Sequence, residues 1–354
     1  MRRHATTALL ASGLLAPGLA VAPAAAAASA PGADDSATAA AQRDAFSFAV
    51  IGDVPYGAAA IEAFPGQVAQ LNADESLDFV THVGDIKNGS SECSDEYFAM
   101  IRAHFDAFTL PFVFTPGDNE WTDCHRQNNG AYDPLERLDA VREVFFPVPG
   151  KTLGATMPVD AREEIGLPEN VTFHRNRVEF SVLNVQGSNN GRAPWTGLGL
   201  AEPTAEQLAD VEHRTDAAVA QIEETFETAE RRNSRAVVLV MQADMFDPSQ
   251  LAAAQEDAAT VSGFQDIVEA VAERTNAFDG EVYLVNGDSH VFNEDAPLAA
   301  DSPWAEVYGV TAPALERVTV DGSAAADNYL RVSVAPNASE TADVLSWERV
   351  PFEG

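Results

Sequence analysis

Short apolar runs recur along this chain, and four of them stop at Gly-Asp. Residues 46–51 lead into Gly52-Asp53, and 79–83 into Gly84-Asp85. Residues 112–116 lead into Gly117-Asp118-Asn119-Glu120, and 282–286 into Gly287-Asp288-Ser289-His290. Runs of this length, apolar throughout, read as parallel strands buried on both faces. Helical periodicity fills the gaps at 59–73, 92–108 and 134–146. Residues 171–174 and 178–185 read as a hairpin turning at Arg175-Asn176-Arg177. Thr204, with Gln207 three residues on, predicts a capping box opening a long amphipathic helix to Arg232. A strand at 236–241, a helix at 262–275 and β runs at 317–320, 329–334 and 344–350 follow. In open α/β sheets the functional groups gather beyond the carboxyl ends of the strands. Four carboxylates at four such ends repel one another unless positive charge sits between them, and divalent cations supply it.

The spacing and order of these endings resemble the calcineurin-like metallophosphoesterase superfamily. The matching positions are Asp53-Val54-Pro55, Gly84-Asp85-Ile86-Lys87, Gly117-Asp118-Asn119-Glu120, Gln242 and Gly287-Asp288-Ser289-His290, over about residues 46 to 350. The resemblance implies an α/β fold: a four-layer sandwich of two β-sheets flanked by helices. It implies two divalent ions that clamp a phosphate and activate a water. Carried over by position, one ion would take Asp53, Asp85 and His290, and the other Asp85, Asp118, Gln242 and Asp288. The chain departs from the family at four places. Pro55, Asn119, Gln242 and Asp288 each stand where a histidine is expected, so Asn119 cannot act as the leaving-group acid. Oxygen donors at 118, 242 and 288 favour Mn²⁺, Mg²⁺ or Ca²⁺ over Zn²⁺. Four carboxylates nearly neutralise two divalent ions, so a single-ion site is an alternative.

Around this set, His125 is a candidate proton donor to the leaving group, or else a polar loop histidine. Lys87 either offsets a carboxylate, meets a phosphate oxygen or lies on the surface. Arg126 and Arg192 are candidates for phosphate contact. Tyr56 either supplies a phenolate ligand or hydrogen bond, or packs in its turn. The function implied is a secreted metal-dependent phosphoesterase acting on a phosphomonoester or phosphodiester. The alternative is a non-catalytic relative that binds a ligand, cation or partner.

Composition narrows this reading. Arg2-Arg3 and an apolar stretch from Ala8, followed by small residues, read as a Sec-type signal peptide over 1–30, with a disordered leader at 31–43 and a single domain at 44–354. The apolar stretch is short of the roughly 20 residues of a membrane span, and nothing near the C-terminus reads as an anchor. Acidic residues number 55 against 21 basic, a net charge of -34, with Lys87 and Lys151 as the lysines. That excess argues against nucleic-acid and anionic-membrane partners. The resemblance implies a small phosphoester substrate, and a monomer is the expectation. Cys93 and Cys124, in an exported chain, are expected to pair. Sequons at Asn88, Asn170 and Asn337 would matter only in a eukaryotic secretory host.

Overall fold

The computed structural model describes residues 45–337 and 343–353. The residues read as a signal peptide and leader, and the end of the Asn337 sequon, lie outside them. Among the described residues thirteen strands form two sheets. The first has the order β13-β12-β1-β2-β3-β4, with β1 Phe46–Ile51, β2 Leu77–His82, β3 Pro111–Phe114, β4 Leu153–Gly154, β12 Asn328–Val334 and β13 Leu345–Pro351. The second has the order β10-β11-β9-β8-β7-β6-β5. Its strands are β5 Asp160–Arg162, β6 Leu167–Arg175, β7 Val178–Val182, β8 Ala236–Val240, β9 Glu281–Asn286, β10 Asn293–Asp295 and β11 Leu315–Thr319. The runs that precede the acidic motifs are parallel where the sequence predicts it: β1 with β2, β2 with β3, and β8 with β9. Their carboxyl ends therefore open on one rim.

The sheets pack face to face. Phe48 and Phe79 from the first stack at 4.8 Å, Phe173 and Phe180 from the second at 4.6 Å, and Phe48 meets Phe180 edge-on at 5.5 Å. Aromatic contacts of this geometry add to the area each ring buries. The outer faces are covered by helices. Phe64 and Val68 of α1 (Gly57–Ala73), Phe98 and Phe105 of α2 (Asp95–Phe105) and Val141 and Phe145 of α3 (Pro134–Phe145) cover the first sheet. The second is covered by α4 (Ala205–Arg232), α5 (Leu251–Glu256), α6 (Gln265–Ala277) and α7 (Pro303–Tyr308). The result is the expected four-layer α/β sandwich. The Thr204–Gln207 capping box forms as predicted, whereas β4, β5, β10, α5 and α7 were not foreseen. Cys93 and Cys124 form a disulfide. Among the described residues no helix is long and apolar enough to cross a membrane.

Candidate metal centre

Each acidic motif residue sits in the first turns beyond its strand, where the chain must reverse sharply. Asp53, Asp85, Asp288 and His290 adopt left-handed backbone conformations, with φ of 55°, 60°, 73° and 63°. Non-glycine residues in this region carry strain that the surrounding structure must hold, and such residues concentrate at functional sites. The turns aim the side chains inward. Ligand atoms of Asp53, Asp85 and His290 lie within 4.8 Å of one another, and so do those of Asp85, Asp118 and Asp288. The two sets share Asp85, which is the arrangement the resemblance implies.

Their surroundings are crowded and dry. Asp53 and Asp85 are buried to within 1%. Burial first, then the neighbouring carboxylates, pushes Asp85 and Asp288 well above the usual carboxylate range. Burial also raises Asp53, against the opposing pull of His290 and the Asp288 amide. The hydrogen bond to Asp53, whose Oδ1 lies 3.2 Å from Nε2, raises His290. The close approach requires glycine at position 187. A Cβ there would lie 2.7 Å from Asp118 Oδ2 and 3.0 Å from Asp288 Oδ1. Buried like charges held this close, in a cradle with no room for side chains, fit a cation-binding site.

The neighbours of this cluster hold its shape. Asn119 donates from its backbone N to Asp85 Oδ1 at 3.1 Å and from Nδ2 to Asp85 Oδ2 at 2.8 Å and the Tyr56 hydroxyl at 3.0 Å. Glu120, wholly buried, accepts from the amides of Asp85, Ile86 and Gly117. Burial pushes its carboxyl up to about 7. Ser188 contacts Asp118 at 3.0 Å and Asp123 at 2.9 Å. Asp244 donates its amide to Asp288 at 3.3 Å and pairs its side chain with the buried Arg317. The sequence reading gave no role to Glu120, Asp123, Ser188, Asp244 or Arg317. Only Glu120 carried a signal, as the acid that closes the third motif.

Three expected roles change. Gln242 Oε1 accepts the Gly187 amide at 2.6 Å, and Nε2 faces Asp118 Oδ1 at 3.4 Å. As placed it presents N–H rather than oxygen to the cluster and orients Asp118 instead of adding a donor. Lys87 is wholly buried rather than on the surface and donates to the Asn119 carbonyl at 2.7 Å, a placement that supports the offsetting of nearby carboxylates over a phosphate contact. His125 is buried, and its Nδ1 accepts the Gly197 amide at 3.1 Å. No hydrogen bond joins it to the carboxylates among the described contacts, so the leaving-group role has no support in this geometry. Arg126 pairs with Asp123 at 2.6 Å and is 44% exposed, while Arg192 is exposed. Tyr56 is not merely packed in its turn: its hydroxyl lies 3.0 Å from Asp85 Oδ2 and 3.5 Å from Asp53 Oδ1.

No family model matches this sequence, and no curated protein does. Solved structures with a similar fold include a dimetal phosphatase from Danio rerio, 10% identical, covering 87% of this chain and 99% of that one with a TM-score of 0.44. Another is GAP50, the anchor in the inner membrane complex of Plasmodium, with 9% identity, 88% and 90% coverage and a TM-score of 0.42. A third is a 5'-nucleotidase precursor from Thermus thermophilus, with 11% identity, 87% and 54% coverage and a TM-score of 0.40. Similarity at this level assigns no chemistry to any residue here. The two-sheet sandwich with its acidic rim is the fold that the resemblance to calcineurin-like metallophosphoesterases implies.

A roomy depression lies elsewhere. A cleft of about 740 Å³ is lined by Arg162, Arg175, Arg231 and Arg232 together with His174 and Glu179. Glu179 is the second residue of β7, whereas Gly187 follows the end of that strand, so cleft and carboxylates sit at opposite ends of the sheet.

Proposed function

We propose that this protein is an exported, divalent-cation-dependent phosphoester hydrolase. The observation that carries the reading is the pair of overlapping ligand sets, Asp53/Asp85/His290 and Asp85/Asp118/Asp288, gathered at one rim and joined through the buried Asp85. Two divalent cations held there would supply Lewis-acid polarisation of a phosphoryl oxygen and activation of a water. The chain's own residues set the stage for that chemistry. Asn119 fixes both oxygens of Asp85, and Gln242 and Ser188 orient Asp118. Arg126 and Arg192 meet the outer phosphate oxygens. The oxygen-rich donors favour Mn²⁺, Mg²⁺ or Ca²⁺ over Zn²⁺. The disulfide suits an oxidising compartment.

A second reading, a cation-binding relative without turnover, is favoured by one observation. His125 is occupied by Gly197, and no other histidine replaces it as an acid beside Asn119 among the described residues. Metal content, together with turnover of p-nitrophenyl phosphate and its bis ester across Mn²⁺, Mg²⁺, Ca²⁺ and Zn²⁺, decides between them. Hydrolysis of either ester supports the hydrolase. Bound cation with no turnover of either leaves the second reading. No bound cation ends both.

A further inference from the structure

The first ligand set is one donor short. Asp53, Asp85 and His290 offer three groups, and Pro55, at the position where the family resemblance expects a fourth, has no donor at all. The next residue along has one. The geometry assigns Tyr56 as the fourth donor of this set, a role that rests on the cation-binding reading above.

Distances carry the assignment. Donors on adjacent vertices of an octahedron with bonds of roughly 2.1 Å lie about 3.0 Å apart, and with bonds of roughly 2.4 Å about 3.4 Å. The Tyr56 hydroxyl is 3.0 Å from Asp85 Oδ2 and 3.5 Å from Asp53 Oδ1, and His290 Nε2 is 3.2 Å from Asp53 Oδ1. These hydrogen-bond distances also match the edge lengths of one coordination shell. The ring supports the placement: it meets the His290 imidazole edge-on, centroids 5.5 Å apart at 85°. Asn119 Nδ2 donates to the same phenol oxygen at 3.0 Å. That bond uses one of the two lone pairs and leaves the other for a cation. Asn119 thus orients the hydroxyl while holding Asp85, so one side chain aligns two donors.

The substitution has a chemical consequence. Replacing an imidazole nitrogen by a phenol oxygen leaves His290 as the single nitrogen donor of the set, which shifts selectivity from zinc toward harder cations. A tyrosine that only hydrogen-bonds Asp85 would lend the set no donor and give it no such selectivity.

Calorimetric titration of the metal-free protein with Mn²⁺ and with Zn²⁺ tests this, with folding checked by melting. In Tyr56→Phe one of two Mn²⁺ binding events should weaken by about 10-fold or more. It should be the event abolished in His290→Ala, and the other should be unchanged. In Tyr56→His binding should recover, with the zinc-to-manganese affinity ratio raised about 10-fold or more over wild type. Wild-type binding of both ions by Tyr56→Phe overturns the assignment, as does loss of the event that Asp118→Asn removes. An unchanged zinc-to-manganese ratio in Tyr56→His also overturns it, and reads out even if Tyr56→Phe does not fold. Failure of the wild type to bind any divalent ion removes this inference together with the proposed function. Two ions in the wild type and no change in Tyr56→Phe removes this inference alone.

Discussion

The two ends of the sheets carry charge in opposite ways. At the carboxyl rim, Asp53, Asp85, Asp118 and Asp288 converge with His290 as the one nitrogen-bearing member of the ligand sets. At the far end the arginine cleft alternates its signs. Arg162 pairs with Glu224, Arg175 with Asp78, and Glu179 takes His174 at 2.7 Å, Arg232 at 3.1 Å and Ser234 at 2.9 Å. The cleft has about 740 Å³ of room, yet its charges are matched within the chain. The rim is tight, and its charges are unmatched. A buried charge without a partner costs far more than a paired surface one contributes. Unbalanced charge, rather than room, therefore marks the place where the molecule calls for a ligand.

The strongest way to break this contrast is Asp85→Asn. Because both sets share this residue, divalent binding should fall by about 100-fold or more at both, on calorimetry. With chelator present the variant should melt no lower than wild type, since a repelling buried charge has gone. A variant that keeps one binding event intact would show that the sets are not joined through Asp85.

The next test is pH. Folded-state values raised above their unfolded ones mean stability that is complete at low pH and lost as pH rises. Burial takes Glu120 from 4.5 and Asp123 from 3.8 up to about 7, and Asp53, Asp85 and Asp288 shift the same way. Chelated protein should thus lose stability as pH rises from about 4 through 7, by the linkage between proton binding and folding. Added Mn²⁺ should flatten that slope. A chelated melting temperature that climbs through the same window would mean the carboxylates are already compensated.

At the cleft the expected sign is reversed. Glu179→Gln leaves the buried Ser234 and the more exposed His174 and Arg232 without their charge partner and should destabilise by about 1–3 kcal/mol in denaturant titration, with cation binding unchanged. Smallest of all is Arg192→Ala. An exposed side chain away from the core should change stability by less than about 0.5 kcal/mol, so a raised KM for p-nitrophenyl phosphate would report substrate contact alone. An unchanged KM would remove Arg192 from the phosphate contacts.

How much of this was legible depends on how far each signal reaches. The strand ends were readable because a buried parallel strand leaves a continuous apolar run and Gly-Asp marks its turn. The short edge strands Leu153–Gly154, Asp160–Arg162 and Asn293–Asp295 leave no such mark, being two or three residues long and largely polar. Gln242 was placed at the right strand end, but which atom it turns inward depends on the Gly187 amide 55 residues earlier. Lys87 stood two residues past a ligand and was read as a group that could face phosphate. Its burial beneath Asn119 follows from the folding of a loop 32 residues away. Tyr56 was weighed as ligand and as packing, and only the convergence of β1 and β2 brings its hydroxyl to both aspartates.

The Cys93–Cys124 bridge gives the site a history as well as a shape. The closed segment has a sequence separation of 31 and holds α2, β3 and the residues from Asp118 to Glu120. Both sulfurs lie within 3.6 Å of the Asn119 carbonyl, the same oxygen that takes Lys87. Once the ring is shut, Asn119 is anchored against Asp85 with no cation yet present. Under the proposed export, oxidation rather than metal then becomes the template, and cations arrive at a site already built. Chains held in a reducing compartment would meet the same cations with that corner still open, so the order of the two events decides which protein is made.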